Sequence, residues 1–381
     1  MQTLDVAIVG AGMAGASLGW ELTRAGASVL LLERESQPGY HSTGRSAALY
    51  IATYGPEAVR ALTRTSRAFF DAPPAGFADV PLLTARGMVY VAPQGDLAAL
   101  DGLHAELRPH APELRLLEHR ALLDLLPCLR PEVVVRGLLD PGAADMDVHA
   151  LHQGYLRGLR AHGGVVRTDT EVLGLRREHG HWVLALPGGE TVAARRVVNA
   201  AGAWADVLAA RAGAAPVGLV PKRRTAFTFP APAGVDVARW PAASAVLTGW
   251  YFKPDAGQLL GSPANADPVA PHDVVPEELD VATAIAHIEA VSTLAIRRPT
   301  RAWAGLRSFV ADGEFVIGAD GALPDFFWLA AQGGYGIQSA PGYALLARNL
   351  LLGEAIDARL RAEGVDDAMV GRLSPRRVQK T

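Results

Sequence analysis

Short apolar runs alternate along this chain with glycine-rich turns and with stretches of helix-forming composition, the rhythm of a layered α/β protein. The first run, Leu4 to Val9, is uninterrupted, as a strand buried on both faces must be. Gly10-Ala11-Gly12-Met13-Ala14-Gly15 follows. Ala16 to Ala25 is rich in strong helix formers, and Gly26 is a natural stop. A second apolar run, Ser28 to Leu32, ends on Glu33. Strand, glycine turn, helix and strand in that order predict a βαβ unit.

The three glycines of this turn have G-x-G-x-x-G spacing. Gly10 permits the tight turn off the strand, Gly12 lets a pyrophosphate approach the backbone, and Gly15 lets the helix lie close to the sheet. The helix N-terminus then offers free N–H groups and a partial positive charge. Glu33 comes eighteen positions after Gly15, where its carboxylate can accept two ribose hydroxyls and would repel a 2′-phosphate. The pattern reads as a dinucleotide site, with nicotinamide and flavin dinucleotides both open.

Further along, Ser42, Thr43 and Ser46 are N-cap types for a helix expected near Arg45, whose N-terminus would suit the other half of a pyrophosphate. Pro56 to Phe70, Leu97 to Leu107, Arg120 to Leu126, Val148 to Ala161 and Asp280 to Leu294 read as helices. Met88 to Ala92, Val133 to Leu139, Glu171 to Arg176, Val217 to Phe229, Ala245 to Phe252, Gln258 to Gly261 and Arg297 to Phe309 read as strands. Arg195 to Trp204 repeats the strand–glycine–helix logic and is expected to return to the first sheet. Gln332 to Gln338 is a glycine loop opening a last helix, Ser339 to Leu352, and is a third place where backbone N–H groups could face a ligand. The predicted fold class is α/β, a Rossmann-like dinucleotide domain interleaved with an α+β domain built on a mostly antiparallel sheet. The expected division is 1–85, 145–212 and 305–381 for the first, and 86–144 and 213–304 for the second.

Composition narrows the reading. The 381 residues suffice for about two domains, and a net charge of −3 does not call for nucleic acid. Cys128 is the single cysteine, so the chain holds no internal disulfide. Its apolar neighbours predict a buried, inert thiol. A cytoplasmic setting is expected: the apolar N-terminus lacks the basic flank of a signal peptide, and no run approaches a membrane span. His149 and His152 are expected at the surface, without a metal. The basic tail with Arg376, Arg377 and Lys380 is expected to be a solvated end.

Four stretches go further: Gly39-Tyr40-His41-Ser42-Thr43-Gly44-Arg45-Ser46-Ala47-Ala48, Asn199-Ala200-Ala201-Gly202-Ala203-Trp204, Gly305-Leu306-Arg307-Ser308-Phe309 and Ala331-Gln332-Gly333-Gly334-Tyr335-Gly336-Ile337-Gln338. They resemble the D-amino-acid-oxidase-like FAD flavoproteins, and more narrowly the branch of bacterial D-arginine and D-amino-acid dehydrogenases. Pro221-Lys222-Arg223-Arg224 and Tyr251-Phe252-Lys253-Pro254-Asp255-Ala256-Gly257 are similar to the same branch. The resemblance implies an FAD domain and a substrate domain with the flavin between them. FAD would lie along Gly10, Gly12, Ala14, Gly15, Glu33, Arg34, Ser42, Thr43, Ser46 and Ala47. Val172, Ala200, Gly202 and Trp204 would border it, and Gly333, Gly334, Tyr335, Gly336, Ile337 and Gln338 would cover the ring. Some relatives attach flavin to a cysteine. Cys128 lies far from these motifs, so the FAD is expected to be noncovalent.

The implied reaction is hydride transfer from the Cα of a D-amino acid to flavin N5, followed by hydrolysis to a 2-oxo acid and ammonia. The electron acceptor would be a quinone or an electron-transfer protein, with a peripheral membrane contact open. The substrate carboxylate needs a permanently charged, bidentate partner, and Arg223 and Arg307 are the candidates, with the Tyr251 hydroxyl as a further donor. Arg224 is expected to be a surface charge. Tyr54 resembles the family's lid tyrosine on a mobile segment, Gln338 would sit at the flavin edge, and Gly334 would offer a carbonyl to the amine. Two departures bear on specificity. Leu49 stands where arginine-specific relatives carry histidine, and Arg86-Gly87-Met88 lacks their glutamate. Neutral, apolar side chains are therefore expected over D-arginine. The alternatives are an oxygen-using D-amino acid, glycine or sarcosine oxidase, a nicotinamide-dependent dehydrogenase, and a noncatalytic flavin-binding protein.

Overall fold

The computed structural model describes residues 3–247 and 249–379. Lys380 of the basic tail lies outside them. Leu4–Val9 lies at the centre of an eight-stranded sheet, pairing parallel with Val29–Leu32 on one side and Thr191–Asn199 on the other. The register puts Val9 beside both Leu32 and Asn199, so the two expected strand–glycine turns leave the sheet at the same level. Val6 and Ile8 face the helices Met13–Arg24, Val148–Ala161 and Ala340–Leu352, while Ala7 joins Leu32, Trp182, Val197 and Trp328 on the opposite face. Burial on both faces explains why these strands are apolar throughout.

The second sheet has nine strands and is mostly antiparallel. Its longest pairing joins Val220–Pro230 to Arg301–Phe309 over nine residues. The latter strand crosses the expected division at 304/305 and belongs wholly to this sheet. The expected strand Ala245 to Phe252 is two, Ala242–Ala245 and Tyr251–Asp255, turning back on each other as an antiparallel pair. One face of the sheet packs Phe227, Phe229 and Phe252 against Ala284 and Ile288 of the helix Glu278–Val291. The other face looks toward the first sheet. A three-stranded ribbon of Leu49–Tyr50, Leu83–Ala85 and Ala144–Met146 lies where the chain passes between the two.

The helix expected near Arg45 does not form; residues 39–45 are turns. The hydroxyls proposed as its caps have other partners. Thr43 Oγ1 accepts from Met13 N–H at 3.0 Å, capping the first helix instead. Ser42 donates to the Leu306 carbonyl at 2.7 Å, and Ser46 accepts from Ala48 N–H, where the backbone takes a φ of +28°. The segment is thus a bridge from the glycine loop to the second sheet. Among the described residues, no helix is long and apolar enough to cross a membrane.

Candidate active site

A cleft of about 1650 Å³, including its open mouth, runs between the two sheets. Its walls come from all four motif stretches. At one end stand Glu33, Arg34, His41 and Trp204. The Arg34 guanidinium lies 3.9 Å from the centre of the Trp204 ring, and His41 packs on the same ring. Glu33 Oε2 accepts from Ala11 N–H at 2.9 Å and its Oε1 from Glu35 N–H at 3.1 Å, which leaves lone pairs on both oxygens for a ribose.

The middle of the cleft is glycine loop and helix N-terminus. Gly10, Gly12 and Ala14 line it. Gly10 has a φ of +106°, and a Cβ there would fall on the Ala200 carbonyl oxygen. Gly15 does not line the cleft: a Cβ there would fall on the Gly10 carbonyl oxygen, so this glycine serves helix–sheet packing, as its position in the motif requires. Thr43, Ser46, Ala47, Val172, Ala200 and Gly202 complete the wall. His152, expected at the surface, is buried, and its Nε2 is 2.9 Å from the Ala11 carbonyl, behind the glycine loop. Burial holds its imidazole below the ordinary range, so it stays neutral there.

The far end is cationic. Arg224, Tyr251 and Arg307 line it with Gly333, Gly334, Gly336 and Ile337. This corrects the choice of Arg223. Side chains alternate along a strand, and Arg223 shares its parity with Phe227 and Phe229, the face covered by the helix Glu278–Val291. There it bonds to Asp280 at 2.8 Å and to Glu277 and Asp267. Arg224 takes the opposite face, with its Nε donating to the Asn265 carbonyl. Arg224 pairs with Gly305 in register and Lys222 with Arg307, so Arg224 and Arg307 are diagonal neighbours on one face. Neither has a carboxylate partner among the described residues. Burial, and then the Arg307 charge, pull the Arg224 guanidinium down to about 10.

Two further expectations need correction. Gln338 is not at the flavin edge. Its side chain is buried and clamps the backbone of Ile51, accepting from its N–H and donating to its carbonyl, both at 3.1 Å. The Tyr335 ring is turned away from the cleft, edge-on to Tyr54, Phe309 and Phe315. Tyr54 follows the clamped segment, so it is tethered at its base rather than carried on a free loop. A Cβ on Gly334 would lie 2.9 Å from Arg307 Nη1 and 3.3 Å from the Tyr54 hydroxyl, which places both groups at that glycine.

The cleft has the form FAD requires: an acid for the ribose, a glycine turn and helix N-terminus for the pyrophosphate, and a backbone-rich floor from Gly333 to Ile337 for a flat ring. A family model described as FAD dependent oxidoreductase matches residues 5–350. The chain belongs to this family. FAD is accordingly its cofactor. Cys128 lies in the core of the second sheet with its thiol pushed up to about 12 by burial, so it is neither near the cleft nor reactive.

Among curated proteins, mitochondrial dimethylglycine dehydrogenase of Mus musculus is 34% identical over 97 residues, 25% of this chain and 11% of that protein. The match thus spans about a tenth of the length of that relative. Among solved structures, glycine oxidase from Geobacillus kaustophilus superposes with a TM-score of 0.80 at 23% identity, covering 94% of this chain and 97% of the other. L-proline dehydrogenase from P. horikoshii gives 0.82 at 19% identity, covering 99% and 98%. At these identities the likeness is one of fold.

Arg224 is a cleft-lining residue that sequence reasoning missed. The signal was present: Phe227 and Phe229 mark the odd positions of that strand as core-facing, which leaves the even ones for the cleft.

Proposed function

We propose that this enzyme oxidises D-amino acids to 2-oxo acids and ammonia as an FAD-dependent dehydrogenase, favouring neutral, apolar side chains. The observation that carries the reading is the pair Arg224 and Arg307, two guanidiniums facing one end of an FAD cleft with no acid among the described residues to neutralise them and with Tyr251 and Tyr54 beside them. Two half-buried cations so placed await an anion, and a carboxylate matches their fork geometry. When bound, FAD supplies the two-electron acceptor that takes a hydride from the substrate Cα. The chain's own residues orient the substrate: Arg224 and Arg307 hold its carboxylate, the Tyr251 hydroxyl donates to it, Tyr54 covers it, and the Gly334 carbonyl accepts from its amine. Among the described residues the acids that line the cleft, Glu33 and Glu171, stand at the nucleotide end, so the amine lies away from both and reacts as the neutral base. The imino acid then hydrolyses in water.

The turn that carries Tyr54 is backed by apolar side chains. Ile51, Met88, Ala143 and Ala242 form a small apolar cluster with Leu49 and Tyr90 packed against it. Asp145, which pairs with Leu49 in the ribbon, is bonded to Lys253 at 2.8 Å and to Arg86 at 2.7 Å. It has no charge to spare for a cationic side chain. A quinone or electron-transfer protein is the proposed electron acceptor, and the FAD is held noncovalently.

The test is anaerobic mixing of the holoenzyme with D- and L-amino acids, glycine and sarcosine, read by flavin bleaching. D-Met, D-Leu and D-Phe are expected to bleach it faster than D-Arg, and L-isomers not at all. Slow recolouring in air supports a dehydrogenase, while rapid recolouring with hydrogen peroxide makes it an oxidase. Bleaching by L-isomers or sarcosine alone overturns the substrate.

The Arg224 environment adds a pH dependence. The lowered value means that the cation is lost as pH rises through about 10, below the range of an ordinary arginine. The affinity for a carboxylate without an amine, such as benzoate, is expected to be flat through neutral pH and to fall above about 10. Arg224→Gln should weaken binding and remove that alkaline limb. A limb that survives the substitution assigns it to another group.

A further inference from the structure

The segment before Tyr54 is held from two sides. Gln338 clamps Ile51, and Thr53 Oγ1 donates to Asp140 Oδ2 at 2.8 Å. Asp140 ends the strand Val134–Asp140 of the second sheet, in register with Met88, and is 2% exposed. Its other oxygen accepts from Gly142 N–H at 2.9 Å, so the carboxylate is fixed at both ends. Thr53 is itself buried, and the Tyr90 hydroxyl stands beside it. Tyr54 N–H closes the turn on the Ile51 carbonyl at 3.1 Å. Behind this turn lies a second cavity of about 770 Å³, including its mouth, walled by Tyr50, Ala52, Thr53 and Asp140 and by Arg60 and Arg64 of the helix Glu57–Asp71. Its arginines Arg60, Arg64 and Arg67 are bonded to Glu57, Glu106, Glu363 and Asp71, so among the described residues none is left without an acid; what the cavity offers is room.

We propose that Asp140 is a positioning residue for the substrate site: through the Thr53 hydroxyl it holds Tyr54 beside Arg307 and Gly334, against retreat into the cavity behind. The inference rests on the assignment of Tyr54 to the substrate site. The bond joins residues 87 positions apart and, with the Tyr90 hydroxyl beside Thr53, ties this turn to the second sheet, so its strength bears on how often Tyr54 stands closed. A hydrogen bond to a buried carboxylate outweighs one to a neutral acceptor, and its loss should weaken ligand binding about tenfold.

The test uses the holoenzyme, with benzoate titrated against the flavin absorbance and KM and kcat measured for D-methionine. Thr53→Val is expected to raise the benzoate Kd and the D-methionine KM about tenfold, with bound flavin and Tm close to the parent. Thr53→Ser, which keeps the hydroxyl, should restore both. In the double variant Thr53→Val/Tyr54→Phe the loss should not exceed that of the larger single change, because both act through one group. If Tyr54→Phe alone leaves benzoate binding unchanged, the role of Tyr54 falls and this inference with it. If Tyr54→Phe weakens binding while Thr53→Val does not, or if the two losses add fully, the tie through Asp140 is overturned and the substrate site stands.

Discussion

Arg307→Ala is expected to lower kcat/KM for D-amino acids by roughly two to three orders of magnitude while the protein purifies with its full complement of FAD. Arg307 and Arg224 face the same end of the cleft, and among the described residues neither has a carboxylate partner. Removing one leaves the substrate carboxylate partly desolvated against a single guanidinium. Truncating one member of a buried, hydrogen-bonded charge pair costs about 2–5 kcal/mol. Tenfold in kcat/KM corresponds to about 1.4 kcal/mol, which gives the size of the effect. The cofactor should stay, because the ribose and pyrophosphate part of its cradle belongs to the first sheet and the bridge 39–48, away from Arg307. Arg307→Lys should recover only part of the loss, since a point charge replaces a planar fork. Steady-state kinetics and the flavin-to-protein ratio check both statements. Loss of flavin together with activity would place Arg307 in the cofactor site instead.

Gly15→Ala is expected to cost the protein its FAD and several degrees of Tm. A Cβ at Gly15 would fall on the Gly10 carbonyl oxygen and lie 3.1 Å from Leu31 Cδ1. The first obstacle is backbone and cannot move without pulling Gly10 from its seat against Ala200. Overpacking of this kind costs about 1–3 kcal/mol, more where no side chain can yield, and the relief must come from the glycine turn itself. Gly12→Ala provides the contrast. Its Cβ would meet only Thr43 Oγ1, at 3.3 Å, and otherwise points into the cleft. That variant should fold with a near-normal Tm and bind FAD more weakly. Thermal unfolding of the two variants, with and without added FAD, separates the packing glycine from the cofactor glycine. Equal losses of Tm would refute the distinction.

Much of this was legible in the chain itself. The βαβ unit of Leu4 to Glu33 is written in consecutive residues, because strand burial, the glycine turn and the helix stop are local requirements. The return of Arg195 to Trp204 to the same sheet followed from the same local logic, and the parallel pairing of Thr191–Asn199 with Leu4–Val9 bears it out. The helix Val148–Ala161 has the expected bounds, with Asp147 as the cap that accepts from Ala150 N–H.

Other outcomes needed the tertiary structure. Arg223 and Arg224 are adjacent and chemically identical, and only the helix packed on one face of their strand decides which is tied to acids and which faces the cleft. Ser42, Thr43 and Ser46 are good caps in isolation, yet their hydroxyls are used on the first helix, on the second sheet and on a strained turn. Gln338 has the composition of a ligand residue, but Ile51, 287 positions away, takes its amide. The chain by itself determined that a dinucleotide cleft forms, since that rests on short-range geometry. The tertiary structure decided which polar side chains are left free to bind substrate, since a hydrogen-bonding group goes to the partner that folding brings nearest.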